Sequence, residues 1–524
     1  MVAGEGVAAG PIGFAAVGAA HPGRVALIEG DGVGITYGDL AGRVHRLSRG
    51  LAALGVRGGQ TVAAMLPNSR AFFELRLATG QSGLYFTPFS HHLTVAEVAH
   101  IVADSEARVV VVDAGLVGVA GPALDAVGVP VGRRVVWGPG AVPDGWVAYE
   151  ELLAAAPAVP PDRPRAGGTL LYTSGTTGRP KAVRRPLPDA PPGPSPYELD
   201  FMARVGVRPG PYVQLSAAPL YHAAPGLFAN MALQLGHTVV LAERPDAEEW
   251  LRLVDRHRVQ VMFAVPTVLH RLLRLPAATR SRYDTSSLTS VVHGAAPCPG
   301  DVKRRAIDWL GPVLYEFYAA TEGGVTAASS AEWLARPGTV GLPMAGVDVR
   351  ILDDDGEPVQ VGETGGVYFT PAVPFAYFKD QEKTERSMRG AYFTAGDHGY
   401  VDEDGWLFLR DRRTDLIISG GVNVYPAEVE AVLLAHPDVA DAAVVGVPDV
   451  EWGQRVAAVV QVEAGVTACG ELGERLVAHC RGELAGYKVP RVVEFWERVP
   501  RSAAGKVLRR EVRVRAVQAS RGRP

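Results

Sequence analysis

The chain is short of most features that would assign it at a glance. Three cysteines in 524 residues, Cys298, Cys469 and Cys480, lie too far apart for a disulfide framework or a metal-ligand pattern, so a reducing cytoplasm is the expected setting. Cys298, in GAAPCPG, has no helper in the sequence that would make it a nucleophile, and it reads as a small buried hydrophobe. No stretch approaches the ~20 unbroken apolar residues of a membrane-spanning helix. The N-terminal segment lacks a basic leader, and Pro11 and His21-Pro22 interrupt its apolar residues, which speaks against a signal peptide. Excess charge is missing too. The 52 basic and 56 acidic residues leave a formal net charge of -4, with no basic field for nucleic acid and no polybasic patch for a membrane surface. Small molecules are the expected partners.

Lysine is scarce. Six lysines, Lys181, Lys303, Lys379, Lys383, Lys488 and Lys506, stand against 46 arginines. In a chain that uses arginine by default, a lysine in a glycine-rich turn is there for its compact ammonium, which draws attention to Lys181 and Lys506. Lys303, Lys379 and Lys383 sit among charges in DVKRR and FKDQEKTE and read as solvated surface.

What is present is a long α/β pattern. A chain of 524 residues exceeds one core and divides into two or more domains. Residues 61–66, 84–89 and 108–112 read as buried strands, with helical patterns over 68–80 and 94–104 between them, which predicts a parallel sheet covered by helices. The alternation returns with strands at 237–241, 259–265 and 288–293, separated by the helix DAEEWLRLVDRH and a helix from Pro266. Between the two runs, six prolines within 186–196 mark a loop. Over 337–410 the texture changes to short strands and Gly/Asp turns. The prediction is an α/β fold: a large N-terminal domain, 1–412, with two helix-covered sheets and a β-barrel-like subdomain over 337–410, followed by a small mobile α+β domain, 413–524.

The segment TLLYTSGTTGRPKAV, residues 169–183, carries the most chemistry. An apolar strand ends abruptly in hydroxyls, glycines, a proline and one lysine. Gly175 and Gly178 allow backbone angles that converge consecutive N–H groups on one point, as a phosphate demands. Thr173, Ser174, Thr176 and Thr177 add hydroxyl donors, and Lys181 adds a full positive charge. The spacing is not the G-x-x-x-x-G-K-[ST] of a P-loop, which argues against the usual strand–loop–helix NTPase. The competing reading is a Gly/Ser/Thr surface turn.

Taken in order, LLYTSGTTGRPKAV, PLYHAAPG (219–226), YAATEGG (318–324), TAGDHGYVDEDGWLFLRDRRTDLIISGGVNVYPAEVE (394–430) and PRSAAGKVLRRE (500–511) resemble the motifs of the adenylate-forming superfamily, which includes acyl-CoA synthetases, luciferases and adenylation domains of peptide synthetases. The resemblance spans nearly the whole chain. It implies an enzyme of two steps: a carboxylate attacks the α-phosphate of MgATP to give an acyl-adenylate and pyrophosphate, then an acceptor, commonly the thiol of coenzyme A, displaces AMP. By the same resemblance, Thr173 through Lys181 hold the β- and γ-phosphates. Tyr318 stacks on adenine, with Gly294, Ala295 and Ala296 lining its edge. Thr321 touches the α-phosphate, Glu322 binds Mg2+, and Asp397 and Arg412 reach the ribose. Lys506 swings into the cleft during adenylation, Lys488 lies in the segment before it, and Gly420-Gly421 stand where a pantetheine tunnel passes. His222 either gates the acyl pocket or fills an aromatic slot. Read without the resemblance, Asp397 and Glu322 serve equally as turn and cap residues. His91 and His92, if on a strand, face opposite sides and read as surface rather than metal ligands.

Departures from the superfamily pattern concern Thr414, at a hinge where Asp or Lys is usual, Ala319, where Gly is common and a side chain narrows the acyl pocket, and AVRRP after the phosphate loop, where Gly-Val and His are common. The leading expectation is an acyl-CoA synthetase using ATP, Mg2+ and coenzyme A, monomeric or homodimeric. A carrier-protein thiol or an amine as acceptor, including nitrite-activating diazotisation, is the enzyme alternative. A nucleotide-binding regulatory protein is the non-enzyme one, and intact Lys181, Glu322, Asp397 and Lys506 argue against it.

Overall fold

Valine-rich runs set the first layer. The strand Ala107–Asp113 buries four consecutive valines, Val109 to Val112, and Thr61–Met65 is buried at every position. Strands covered on both faces are the mark of a parallel sheet with helices on either side. The computed structural model describes residues 10–29, 32–173, 181–242, 245–412, 415–419, 422–449, 452–502 and 505–521. In it, Val147–Ala148, Arg134–Trp137, Ala107–Asp113, Thr61–Met65, Tyr85–Pro88 and Gly168–Thr169 form one all-parallel sheet in that order. Alternation along a strand sends neighbours to opposite faces. Val62 and Ala64 join a core with Leu40, Leu47 and Phe72, while Ala63 and Met65 join another with Val98, Ile101 and Leu124.

The second sheet begins as a parallel array, Val25–Glu29, Thr238–Leu241, Val213–Ser216, Val261–Phe263, Ser290–His293 and Leu314–Ala320. Val25–Glu29, flanked on its outer side by the antiparallel edge strand Val33–Thr36, lies more than 200 residues before its parallel partner Thr238–Leu241, a pairing with no local signal. Beyond Leu314–Ala320 the sheet turns antiparallel and continues through Gly323–Ser329, Thr339–Pro343, Leu407–Arg412, Asp397–Val401 and Gly365–Phe369. The β-rich segment is thus an open extension of the second sheet, and no closed barrel is formed among the described residues. A separate hairpin, Leu171–Thr173 with Lys181–Arg184, is joined by Ala376–Tyr377.

The small C-terminal domain has its own five-stranded sheet, in which the long pair Val439–Asp449 and Gly453–Val462 is flanked by Ile417–Ser419 and Val492–Phe495. Helices Pro426–Ala435 and Gly470–Glu483 cover one core and Arg509–Arg521 the other. No helix among the described residues is long and apolar enough to cross a membrane.

Lys303 is not the solvated lysine its sequence context suggests. It is 0% exposed, its ammonium lies 2.5 Å from Glu316, and it sits 4.8 Å from the Trp333 ring centroid. Helix Gly300–Leu310 turns this one position of DVKRR against the sheet, where Glu316 on Leu314–Ala320 supplies the counter-charge a buried cation needs. Lys379 does stay at the surface, paired with Glu106 at 3.0 Å.

Candidate active site

The carboxyl ends of parallel strands are where such sheets bind ligands, and three candidate segments lie there. Val213–Ser216 leads to His222, Ser290–His293 leads to Gly294, Ala295 and Ala296, and Leu314–Ala320 ends in the turn carrying Thr321 and Glu322. Gly294 is required by close approach: a Cβ there would stand 2.6 Å from the Phe317 carbonyl oxygen. Ala295 follows it in the left-handed region at φ 68, a conformation that costs an L-residue about 1 kcal/mol and marks a loop held by its surroundings.

Glu322, 8% exposed, accepts a 2.5 Å hydrogen bond from the Tyr377 hydroxyl. Tyr377 pairs with Val183 on the strand that begins at Lys181, so the hairpin and the Glu322 turn are tied together. Lys181 places its ammonium 3.1 Å from Asp380. The backbone N–H of Lys383 and the Lys181 ammonium hold the Asp380 carboxyl below the usual carboxylate range. Lys383, expected on the surface, instead lies 3.8 Å from the Tyr377 ring centroid, with its pKa lowered by burial against the pull of Glu322 and Asp380. Arg185 donates to the Thr321 carbonyl at 2.6 Å. Three cations and two carboxylates therefore gather around one turn.

Tyr318 donates to Asp397 at 2.6 Å, and Asp397 is paired with Arg412 across the antiparallel ladder. The structure thus groups the adenine and ribose candidates. The Arg412 and Thr173 side chains lie outside the described set, as do Ser174, Gly175, Thr176, Thr177, Gly178, Thr414, Gly420 and Gly421.

His222 caps the helix Ala223–Gln234 at its N-terminus, its ring 4.6 Å from Tyr221. Burial pushes its pKa down to about 4, so the ring is neutral near pH 7. His91 and His92 lie in a turn rather than a strand, which brings their rings 4.1 Å apart, with His91 5.7 Å from Tyr221. The strand condition under which the two rings would face opposite sides is not met, since a turn does not alternate as a strand does.

Lys506 arrives from the other domain. Its turn is closed by Ser502 N–H donating to the Lys506 carbonyl at 2.7 Å and by Arg501, which donates to the Gly505 carbonyl at 2.7 Å while pairing with Asp441 at 2.6 Å. Gly505, at φ 76, packs so closely on the large domain that a Cβ would meet Thr267 Oγ1 at 2.7 Å. Lys506 lines the same cleft as Thr321, Glu322, Ala295 and His222. Arg274, on the large domain, grips the small one through the Val439 carbonyl at 3.0 Å, the Pro437 carbonyl at 2.8 Å, and Glu463. Lys488 is not brought to the cleft lining; Glu428 holds its ammonium at 2.6 and 2.8 Å.

Among the described residues no cluster of three His, Cys, Asp or Glu is assembled for a metal. A lone carboxylate suits Mg2+ that is carried by phosphates, since that ion keeps most of its waters and takes only one or two protein oxygens. Glu322 has the right donor chemistry for it.

Comparisons with known proteins place the chain in a family. The model of the AMP-binding enzyme family matches residues 14–372, and that of the AMP-binding enzyme C-terminal domain matches 428–506. A feruloyl-CoA synthase from Amycolatopsis is 37% identical over 494 residues, covering 92% of this chain and 94% of its own. Among solved structures, ATP-bound MatB from Rhodopseudomonas palustris superposes with a TM-score of 0.80 at 28% identity, covering 95% of this chain and 96% of its own. The amide bond synthetase McbA from Marinactinospora thermotolerans gives 0.79 at 31%, with coverage of 94% and 97%. This chain belongs to the AMP-binding enzyme family and is a ligase of the AMP-forming acid–thiol kind.

Proposed function

We propose that the enzyme activates a carboxylic acid with MgATP and passes the acyl group to coenzyme A. In the first step a carboxylate oxygen bonds to the α-phosphorus and pyrophosphate leaves. In the second the CoA thiol bonds to the acyl carbon, its proton goes to solvent, and AMP leaves. Both steps bring anions together, so the protein's task is charge compensation and positioning rather than covalent catalysis.

The observation that carries the reading is Lys506, delivered from the small domain into the cleft that Thr321 and Glu322 line. An ammonium there compensates charge that builds only as carboxylate and α-phosphate meet. Glu322 would hold Mg2+, which supplies further charge compensation to the phosphates. Lys181 and the hairpin turn would hold the outer phosphates, with Tyr318 and Asp397 at the base and sugar and Arg412 beside them. His222, neutral and packed on Tyr221, forms part of the acyl wall. Once adenylation is over, the small domain turns to bring the Gly420-Gly421 segment to the cleft for the thiol.

Pyrophosphate exchange into ATP with a panel of carboxylic acids tests the first step, and product analysis with CoA, an amine or a carrier thiol tests the second. Acid-dependent exchange and a CoA thioester are expected. Exchange without any thioester transfers the reading to another acceptor.

A further inference from the structure

The cleft is also lined by arginines to which the proposed reaction assigns no role. AVRRP places two arginines side by side, and the structure separates their roles. Arg184 stacks on Tyr85 and Phe378, 4.7 and 5.0 Å from their ring centroids, as part of the hairpin's packing. Arg185 turns into the cleft and spends one N–H on the Thr321 carbonyl. Facing the same cleft is Arg76, on helix Arg70–Gln81, with no ion pair and no side-chain hydrogen bond among the described residues. Glu198 is the carboxylate that acts on both guanidiniums, and burial lowers the pKa of each. It is already committed to its own helix, accepting from the N–H and hydroxyl of Ser195 at 2.8 Å. Glu322, which also acts on Arg185, is the carboxylate assigned to Mg2+ above.

Next to Glu198, the Tyr197 hydroxyl lines the same cleft, buried and without a hydrogen-bond partner among the described residues. Burial pushes its pKa up to about 12, with Arg185 opposing, so it stays a donor. Two guanidiniums set against one shared carboxylate, together with an orphan hydroxyl, call for a ligand that brings acceptors and negative charge. Aromatic walls from Phe72 and Phe201 supply the apolar remainder.

Building on the proposed carboxylate activation, we infer that the acid this enzyme activates carries a second carboxylate, held by Arg76 and the Tyr197 hydroxyl, while Arg185 faces the carboxylate that reacts. The arrangement explains why an arginine is tolerated within reach of the Thr321 turn. It also gives the acyl pocket its specificity: a site built to bind a charged group rejects a ligand that lacks it, since its donors are then left unpaired.

Pyrophosphate exchange with matched acids tests this in the full-length enzyme: hexanoate, adipate and monomethyl adipate, and benzoate, terephthalate and monomethyl terephthalate. Diacids should exceed their monoacid and monoester partners by about 100-fold in kcat/KM. Arg76→Met should lower the diacid value by a similar factor and shrink the preference to near one. Tyr197→Phe should raise the diacid KM roughly 10-fold with little change in kcat, a split that loss of folding does not give. Should Arg76→Met fail to fold, Arg76→Lys and Tyr197→Phe decide the matter through the same preference. Monoacids or monoesters turned over as well as diacids, or a preference unmoved by these substitutions, overturn the second-carboxylate site alone. Exchange with no acid overturns the proposed reaction and this site with it.

Discussion

Replacing Arg274 with alanine should unbalance the two half-reactions. Its guanidinium reaches from helix Pro266–Arg274 to two backbone carbonyls and one carboxylate of the small domain. These bonds belong to the orientation that puts Lys506 in the cleft. Arg274 and Glu463 are 26% and 30% exposed, so solvent screens the ion pair and each charged contact contributes less than its buried equivalent. Allowing somewhat under 1 kcal/mol for each gives about 2 kcal/mol in all, or roughly a 30-fold shift in the balance between domain orientations. Adenylation should slow by up to that factor. Thioester formation from pre-made acyl-adenylate and CoA, which uses the other orientation, should hold its rate or gain. Arg274→Lys keeps the charge but not the fork and should fall between. Both half-reactions slowed equally, or neither, would refute the claim that this contact sets the orientation.

Three further outcomes follow from buried or paired groups. Glu322→Gln should raise the Mg2+ concentration needed for half-maximal exchange, because an amide is a poorer ligand for a hard cation, and an unchanged Mg2+ titration would remove Glu322 from that role. Asp397→Ala should weaken ATP and AMP alike in calorimetric titrations, since the ribose is common to both; loss of ATP binding alone would move Asp397 to the phosphates. Lys303→Met leaves Glu316 buried without its counter-charge and should cost about 3–5 kcal/mol in chemical denaturation. Burial already raises the Glu316 pKa while Lys303 opposes, so removing the lysine raises it further. A carboxyl whose folded pKa lies above its unfolded value binds more protons when folded, so the variant should regain stability as pH falls from about 8 toward about 5. A loss that stays constant over that range would place the damage in packing rather than charge.

How much was legible in the sequence divides along the range of the interactions. Val109 to Val112 and the DAEEWLRLVDRH helix are local patterns, and they formed the elements they predicted. Thr321, Glu322, Asp397 and Lys506 could be nominated from sequence because each sits in a short motif, and the structure sets Thr321, Glu322 and Lys506 along one cleft. The pairing of Val25–Glu29 with Thr238–Leu241 was not readable, because a strand's partner is chosen by tertiary packing. Lys303 and Lys383 were misread for the same reason: their flanking charges face solvent, while the partners that draw them inward, Glu316 and Tyr377, are remote or unremarkable in sequence. Arg185 was visible only as a departure from pattern; Arg76, Tyr197 and Glu198 acquire meaning only once the helices bring them to one cavity.

The central claim is that Lys506 serves adenylation alone, and one comparison tests it most directly. Lys506→Ala should lower the rate of acid-dependent pyrophosphate exchange by roughly 100- to 1000-fold, the scale of losing one well-placed charge in a transition state. The same variant, given pre-made acyl-adenylate and CoA, should form thioester at close to the parental rate. If it slows both half-reactions to the same extent, the division of labour between the two domains described here is contradicted.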